Sequence, residues 1–185
     1  MSHAPRLPVL AVGLIAAWAL AGCGEHNTRH ASDEGTYIDV GALKYQVQLS
    51  RQLNPTDAED RSYLLGLTPP QAHLTSKQAW FSVWLRVENH SCQTRHPALI
   101  YRIKDTQGRA YTPVVPGPLN IFAYRPLPIP CHGQIPAQST VPDEGPIQGA
   151  VLLFKVPVSA YDNRPLEFDV SDQVAGQTGT VELDV

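Results

Sequence analysis

The sequence has few of the residues and motifs that several common classes of protein require. Its one methionine is Met1, which excludes a methionine-rich copper carrier and leaves a blue-copper site without its usual axial ligand. Lys and Arg number 14 against 17 Asp and Glu, and this mild negative balance argues against a nucleic-acid partner, which would need a clustered basic face. The sequence contains no Gly-x-Ser-x-Gly, Ser-x-x-Lys or His-Glu-x-x-His motif and no glycine-rich phosphate loop, so we expect neither an enzyme nor a cofactor.

The apolar run over 7–21 is too short to span a bilayer comfortably. It has 15 residues without a charge and follows Arg6, whereas a transmembrane helix needs about 20. This length and the preceding positive charge are typical of the hydrophobic region of a signal peptide. We therefore predict that residues 1–22 are a signal peptide and that the protein is exported.

The end of this run, Leu20-Ala21-Gly22-Cys23, resembles a bacterial lipobox. The resemblance implies cleavage before Cys23 and attachment of lipid to its thiol. Two or three acyl chains would anchor the protein stably, whereas a single chain binds a membrane only marginally. The predicted location is extracytoplasmic, on the cell membrane or outer envelope, with the membrane as a partner through the N-terminal lipid. An ordinary secretory signal peptide, cut nearby, is the alternative.

One domain is predicted for the rest of the chain. Residues 23–35 are polar and rich in Gly, His, Asn and Ser, a composition typical of a flexible tether. Residues 36–185 suffice for one domain of ordinary size with its own core. No repeat of fixed period and no second composition interrupts them.

Short alternations of apolar and polar residues predict an all-β protein. A period of two is typical of strands with one buried face, and the 17 prolines leave few windows for a helix. Several such strands with turn signals between them favour a two-layer sandwich. The predicted strands centre on 45–49, 80–88, 99–105, 109–112, 150–156 and 166–170, with 113–136 as a loop or proline-spaced edge strand and 180–185 as an edge strand or frayed end.

Three segments resemble a known bacterial family. They are 81–89 (FSVWLRVEN), 104–111 (KDTQGRAY) and 149–157 (GAVLLFKVP). Their order and spacing resemble an immunoglobulin-like domain of bacterial lipoproteins, a family of unknown function sometimes labelled telomeric-repeat-binding-factor-2-like. The resemblance covers 43–170 and implies an immunoglobulin-like antiparallel β-sandwich of seven or eight strands, without family-wide catalytic residues. On this basis we expect a non-enzymatic domain that interacts with an envelope protein or polymer.

Two cysteines, Cys92 and Cys131, lie in the predicted domain. An exported domain is in an oxidising compartment, so an even pair most simply predicts a disulfide. In the chain-entropy model, a bridge closing about 40 residues stabilises the fold by about 3–4 kcal/mol. The two residues are not spaced as Cys-x-x-Cys, and a redox-catalytic pair is therefore not predicted.

Three histidines, His90, His96 and His132, lie near these cysteines in the sequence. With the thiols of Cys92 and Cys131, if these stay reduced, they form a ligand set that could hold copper or zinc. A disulfide would remove both thiolates, and a polar loop with solvated histidines is then the simpler interpretation. We predict no metal, and an extracytoplasmic copper- or zinc-binding protein is the alternative function.

Trp80 and Trp84 lie on the face of their strand opposite the row Phe81, Val83 and Leu85. If that row faces the core, the two indoles form a candidate interaction surface for a sugar or a protein. The alternative is that a neighbouring segment, 63–67 or the proline-rich one, covers both rings, since isolated domains seldom leave large apolar patches bare.

The acidic stretch over 54–60 predicts the start of a helix. Thr56 or Asp57 would be the N-cap, and the following acids would favour the positive end of the helix dipole. A Ca²⁺ site is the alternative, but the glycine and terminal glutamate of an EF-hand loop are missing.

Overall fold

A computed structural model describes residues 28–185, in which two β-sheets face each other across an apolar core. The predicted fold class, an antiparallel β-sandwich, is confirmed. Within residues 28–185, seven of the eleven strands have four residues or more, and this number agrees with the expected seven or eight. The signal peptide predicted for 1–22 and the predicted lipidation site Cys23 lie outside the described residues.

The strands and helices follow one another in mixed order along the chain. The strands are β1 (His30–Ala31), β2 (Tyr37–Val40), β3 (Leu43–Leu53), β4 (Gln78–Glu88), β5 (Ile100–Lys104), β6 (Ala110–Tyr111), β7 (Pro113–Val114), β8 (Gln134–Ile135), β9 (Ala150–Pro157), β10 (Leu166–Asp172) and β11 (Gln177–Leu183). The helices are α1 (Ala58–Tyr63), α2 (Pro69–Ala72) and α3 (Val141–Glu144), and a 3₁₀ turn spans Val158–Asp162.

The first sheet has the strand order β2-β3-β4-β9-β7, with β8 paired to the end of β4. The second sheet has the order β1-β11-β10-β5-β6. All pairings are antiparallel except that of β1 with β11. The proline-rich segment is loop apart from β7, at the edge of the first sheet, and β8, which pairs only with the end of β4 among the described strands. This confirms the prediction of a loop or edge strand, and Pro113 has no backbone N–H to donate.

The core between the sheets follows the predicted alternation of β4. Phe81, Val83, Leu85 and Val87 are fully buried there, against apolar residues of the second sheet such as Phe168. Each such side chain contributes about 1.5–3 kcal/mol when removed from water. This row therefore supplies much of the free energy that holds the two sheets together.

A second apolar cluster covers the outer face of the first sheet. It contains Val151 and Leu153 of β9, together with side chains from α1, the segment after it and the proline-rich segment, such as Tyr63 and Phe122. Strand β9 is consequently buried on both faces, as its continuous apolar sequence predicts. The molecule has a third, irregular layer on this side.

A β-bulge in the middle of β3 changes the face of the sheet toward which the following side chains point. The pairing with β4 shifts register between Val47 and Leu49. Tyr45 and Val47 point into the core between the sheets, whereas Leu49 packs in the outer cluster. The period of two predicted for 45–49 would place all three side chains on one face, and this is wrong because the extra residue at the bulge reverses the alternation.

The two ends of the chain's folded region also differ from expectation. The prediction of an edge strand or frayed end at 180–185 is wrong, because β11 lies between β1 and β10. His30 and Ala31 pair with β11, and Ala31 is buried. The predicted flexible tether is therefore wrong for 30–31, since the edge of β11 offers backbone partners that local composition does not reveal.

The sandwich has two ends that matter for the site. The Gly41 end is formed by the β2–β3 turn at 41–42, the β10–β11 turn at 173–176 and the loop over 89–99. The first two turns touch, because the Gly41 amide donates to the side chain of Gln177 at 3.0 Å. The opposite end contains Lys77 and the 3₁₀ turn, whose Val158 amide donates to the Lys77 carbonyl at 2.9 Å.

Helix α1 begins as its sequence predicts. Asp57 is the N-cap, and its carboxylate accepts from the amides of Glu59 and Asp60 at 2.9 and 3.1 Å. The acidic stretch is thus used as a helix start. Among the described residues, no helix has the length and apolar character that crossing a membrane requires.

Asp60 forms an ion pair that joins α1 to β3. Its carboxylate accepts two bonds from the Arg51 guanidinium, at 2.6 and 3.0 Å, and one from the Asn54 amide at 2.7 Å. The Arg51 bond is the main cause that lowers the pKa of Asp60 below its ordinary value of 3.8. Asp60 is buried, whereas Arg51 retains partial contact with solvent.

We expect Asp60→Asn to lower the free energy of unfolding at pH 7 by about 2 kcal/mol, because it leaves Arg51 without its carboxylate. A carboxyl group whose pKa is lowered by folding stabilises the fold above its unfolded pKa. This contribution is lost as the pH falls through the lower folded pKa. Urea unfolding at pH 7 and at pH 3 should therefore show a smaller difference between wild type and variant in acid.

The control for this prediction is Asp33→Asn. The Asp33 carboxylate accepts only an exposed bond from the Ser32 hydroxyl, so a change below about 0.5 kcal/mol is expected. An Asp60→Asn effect that is equal at both pH values would contradict the assigned ion pair.

Candidate functional site

Cys92, Cys131 and His132 form a three-residue group at the Gly41 end. Their sulfur and ring nitrogen atoms all lie within 4.8 Å of one another, and the Cys92 Sγ is 3.6 Å from His132 Nε2. All three side chains are exposed. Within residues 28–185 this is the one group of three or more His, Cys, Asp or Glu side chains close enough to share a metal ion.

Asn89 positions the two loops that carry the group. It directly follows β4, and its side chain is buried. Its amide nitrogen Nδ2 donates to the carbonyls of Gln93, Ile129 and Pro130 at 2.7, 3.0 and 2.8 Å. Its Oδ1 accepts from the amide and hydroxyl of Ser91 at 3.0 and 2.7 Å. One buried side chain therefore joins the Cys92 loop to the Cys131 loop.

Backbone bonds between the same two loops complete the arrangement. The Asn89 amide donates to the Gly133 carbonyl at 2.9 Å, and the His132 amide donates to the Ser91 carbonyl at 3.2 Å. An isolated antiparallel bridge pairs Arg95 with Ile129. Hydrogen bonds thus hold the two loops that carry the thiols in a fixed relative position.

His132 has a backbone conformation that few residues adopt. Its φ is 52°, in the left-handed region that favours glycine. Strained backbone of this kind persists where the surrounding structure holds it, and it is found preferentially at functional sites. Here it directs the imidazole toward Cys92, the residue from which it is separated by 40 positions.

The structure brings the Cys92 and Cys131 side chains close together with no bond between their sulfurs, and the disulfide stays a prediction. The loops are bonded to each other through Asn89 and their backbones, so the fold brings the sulfurs together without a covalent link. The pKa of the Cys131 thiol is raised, first by desolvation and then by the hydrogen bond with Cys92. The two thiols are neighbours, as the predicted disulfide requires.

The other two candidate histidines lie elsewhere. His90 Nε2 is 2.8 Å from Glu88 Oε2, and it does not belong to the group around Cys92. His96 lies in the wall of a separate depression. Of the three histidines proposed from the sequence, the fold brings only His132 to the thiols.

Trp80 and Trp84 do not form an exposed interaction surface. They are 2% and 1% exposed and belong to the outer apolar cluster. Tyr63 of α1 packs edge-on against Trp84, with ring centroids 5.1 Å apart. The candidate surface is therefore wrong, and the alternative of covered rings is confirmed: Tyr63 lies against Trp84, and residues of 63–67 and of the proline-rich segment belong to the same buried cluster.

A wide depression opens at the Gly41 end. It has a volume of about 640 Å³ and is lined mainly by apolar atoms, including those of Pro97, Ala98, Pro126 and Ala175. Leu99 and Val174, which also belong to its wall, are 74% and 100% exposed. The sequence analysis did not identify this feature, because its residues come from four segments that are distant in the chain.

No family model matches the chain, and no significant match exists among curated proteins. Among solved structures, a protein of unknown function from Listeria monocytogenes EGD-e is similar with a TM-score of 0.52 and 11% identity, over 83% of each chain. At this identity the likeness concerns the β-sandwich fold alone.

Two further solved structures are similar at a lower level. An uncharacterized β-sandwich protein from Clostridium difficile 630 has a TM-score of 0.47 and 11% identity, covering 85% of this chain and 95% of its own. A protein proposed to be a lipoprotein (ycdA) from Bacillus subtilis subsp. subtilis str. 168 has a TM-score of 0.47 and 9% identity, covering 82% of this chain and 39% of its own.

Proposed function

We propose that this protein is a lipid-anchored envelope lipoprotein whose β-sandwich is a non-enzymatic interaction domain for an envelope protein or polymer. The observation that carries the proposal is Leu20-Ala21-Gly22-Cys23 at the end of an apolar run, with the folded domain beginning within a few residues of it. A lipobox-like motif followed by a β-sandwich resembles the bacterial family of immunoglobulin-like lipoproteins.

The buried polar side chains support a non-enzymatic function. Asn120, for example, donates to the carbonyls of Tyr63 and Leu65 at 2.7 and 3.0 Å and so holds the outer layer in place. Asp105 accepts from the Gln107 and Arg109 amides in the turn after β5. These groups, like Asn89 and Asp60, are used to fix loops and turns.

The decisive experiment is the distribution of Cys23→Ala between membrane and soluble fractions. The proposal requires that wild type is found with the membrane and that the variant is released. A variant that remains in the membrane fraction would overturn the lipid anchor.

A second function, binding of a thiophilic metal ion, is favoured by the group Cys92, Cys131 and His132. Two thiolates and an imidazole within 4.8 Å of one another are donors suited to Cu(I) and to Zn²⁺. With Zn²⁺, water would supply the fourth ligand, as in sites with three protein ligands. The exposed position of the group would allow a metal ion to enter from solvent.

We expect the reduced full chain, with Cys23→Ala to remove the third thiol, to bind one equivalent of Cu(I) or Zn²⁺ in competition with a chromophoric chelator. Cys92→Ser should lower the affinity by at least about 100-fold, since loss of a direct ligand exceeds the effect of a supporting residue. His96→Ala is the matched control, and it should leave the affinity unchanged.

Two results would contradict metal binding. If Cys92→Ser and His96→Ala bind the metal ion with equal affinity, the group Cys92, Cys131 and His132 is not the binding site. A thiol count of zero in exported Cys23→Ala protein would show that both donors are oxidised and unavailable.

A further inference from the structure

We propose that the Gly41 end of the sandwich faces the bilayer and that Leu99 and Val174 contact the lipid surface. This inference rests on the proposed lipid anchor at Cys23. In this orientation the depression at the Gly41 end lies against the membrane. The opposite end and the sides of the domain remain accessible to a protein or polymer partner.

The first step in the argument is where the described chain begins. Thr28 exchanges hydrogen bonds with Asp39, since its amide donates to the carboxylate at 3.1 Å and its carbonyl accepts from the Asp39 amide at 2.7 Å. Asp39 is two residues before Gly41. Because β1 runs parallel to β11, the chain that precedes His30 is directed toward the start of β11, which is at the Gly41 end.

The second step is the length of chain between the anchor and the fold. Five residue steps separate Cys23 from Thr28, and they extend at most about 18 Å. Strands β3 and β4 have 11 residues each and are therefore about 35 Å long. The anchor thus keeps the Gly41 end near the bilayer, and the chain is too short for the opposite end to take its place.

The third step is the chemistry of this end. Val174 is fully exposed in a turn that is held in place, because Asp172 Oδ1 accepts from the amides of Val174 and Ala175 at 2.8 and 3.1 Å. Leu99 lies in the wall of the same apolar depression. Exposed apolar side chains at a rigid tip are unfavourable in water and favourable at the boundary between headgroups and acyl chains.

Charge does not provide the attraction at this end. Lys44 forms an ion pair with Asp39 at 2.8 Å, and Arg95 donates to the hydroxyl of Ser91 at 3.2 Å. The Gly41 end therefore has mixed rather than clustered positive charge. Contact that depends on apolar side chains should occur on neutral phosphatidylcholine and should not require anionic lipid.

The test uses added tryptophans as depth reporters in the lipidated chain that begins at Cys23, on phosphatidylcholine vesicles with brominated acyl chains. Val174→Trp and Leu99→Trp report the Gly41 end, and Val158→Trp, at a site 52% exposed at the opposite end, is the matched control. Trp80 and Trp84 are buried and give the same background in every variant. All three added indoles replace exposed side chains, so folding should be preserved.

We expect the brominated lipid to quench the emission of Val174→Trp and Leu99→Trp, with a shift to shorter wavelength, and to leave Val158→Trp unchanged. Equal quenching at both ends, or none at either end with the protein still bound to vesicles, overturns the proposed orientation while the anchor stands. A shift to shorter wavelength without quenching indicates a protein on this end and also overturns it. Protein that does not remain with the vesicles overturns the anchor and, with it, this inference.

Discussion

The Cys23→Ala chain is expected in the soluble fraction, whereas the wild-type protein is expected almost entirely with the membrane. Each buried methylene of an acyl chain contributes about 0.8 kcal/mol, so two or three chains bind a membrane stably. Alanine has no thiol to which lipid could be attached. Fractionation of cells followed by quantification of the protein in each fraction gives the measurement.

Cys92→Ser is the matched control for this prediction, since it also removes one thiol but leaves the predicted attachment site. It should stay with the membrane. Cys23 precedes the described fold. The Cys23→Ala variant should therefore unfold at the same temperature as a wild-type chain that carries no lipid. Cys23→Ala protein that resists a high-salt wash of the membrane would refute the assignment.

Asn89→Ala is expected to lower the free energy of unfolding by about 3 kcal/mol. Asn89 Nδ2 is shared by three backbone carbonyls, and Oδ1 accepts two bonds from Ser91. Leaving a buried polar group without its partner costs about 1–3 kcal/mol. The alanine substitution leaves several backbone carbonyls without their partner at once. Urea unfolding followed by the fluorescence of buried Trp80 and Trp84 provides the measurement.

The same change should also separate the two thiols. Asn89 joins the Cys92 loop to the Cys131 loop, so its loss should weaken the binding of a trivalent arsenical, which requires two neighbouring thiols. Asn54→Ala is a matched control, because the Asn54 side chain accepts exposed bonds from Thr56; it should cost less than about 1 kcal/mol. Unchanged stability and unchanged arsenical binding for Asn89→Ala would show that Asn89 does not hold the loops together.

Much of the fold could be predicted because its signals are local. Strand β4 alternates apolar and polar residues, and β9 is apolar throughout, so each reveals how many of its faces are buried. The bulge after Val47 and the pairing of β11 with β1 could not be predicted in this way. Both depend on a partner strand, and the same local sequence is compatible with another register.

The candidate site was predictable only in part. Cys92, Cys131 and His132 could be proposed as a soft ligand set from residue type. Which of the three histidines joins the thiols depends on two loops, 40 residues apart in the chain, that meet through Asn89. Asn89 itself gives one sequence signal, a polar residue at the end of a strand, and that signal does not reveal which carbonyls it contacts.

By itself the sequence predicted the lipobox-like motif that ends at Cys23 and determined the β-rich character of the domain, because the short-range order of residues is sufficient for both. The tertiary structure decided that Trp80 and Trp84 are covered, that the thiols face His132, and that the chain leaves the sandwich at its apolar Gly41 end. The physical reason is that alternation assigns a side chain to a face of a sheet, whereas what lies against that face depends on segments far away in the chain.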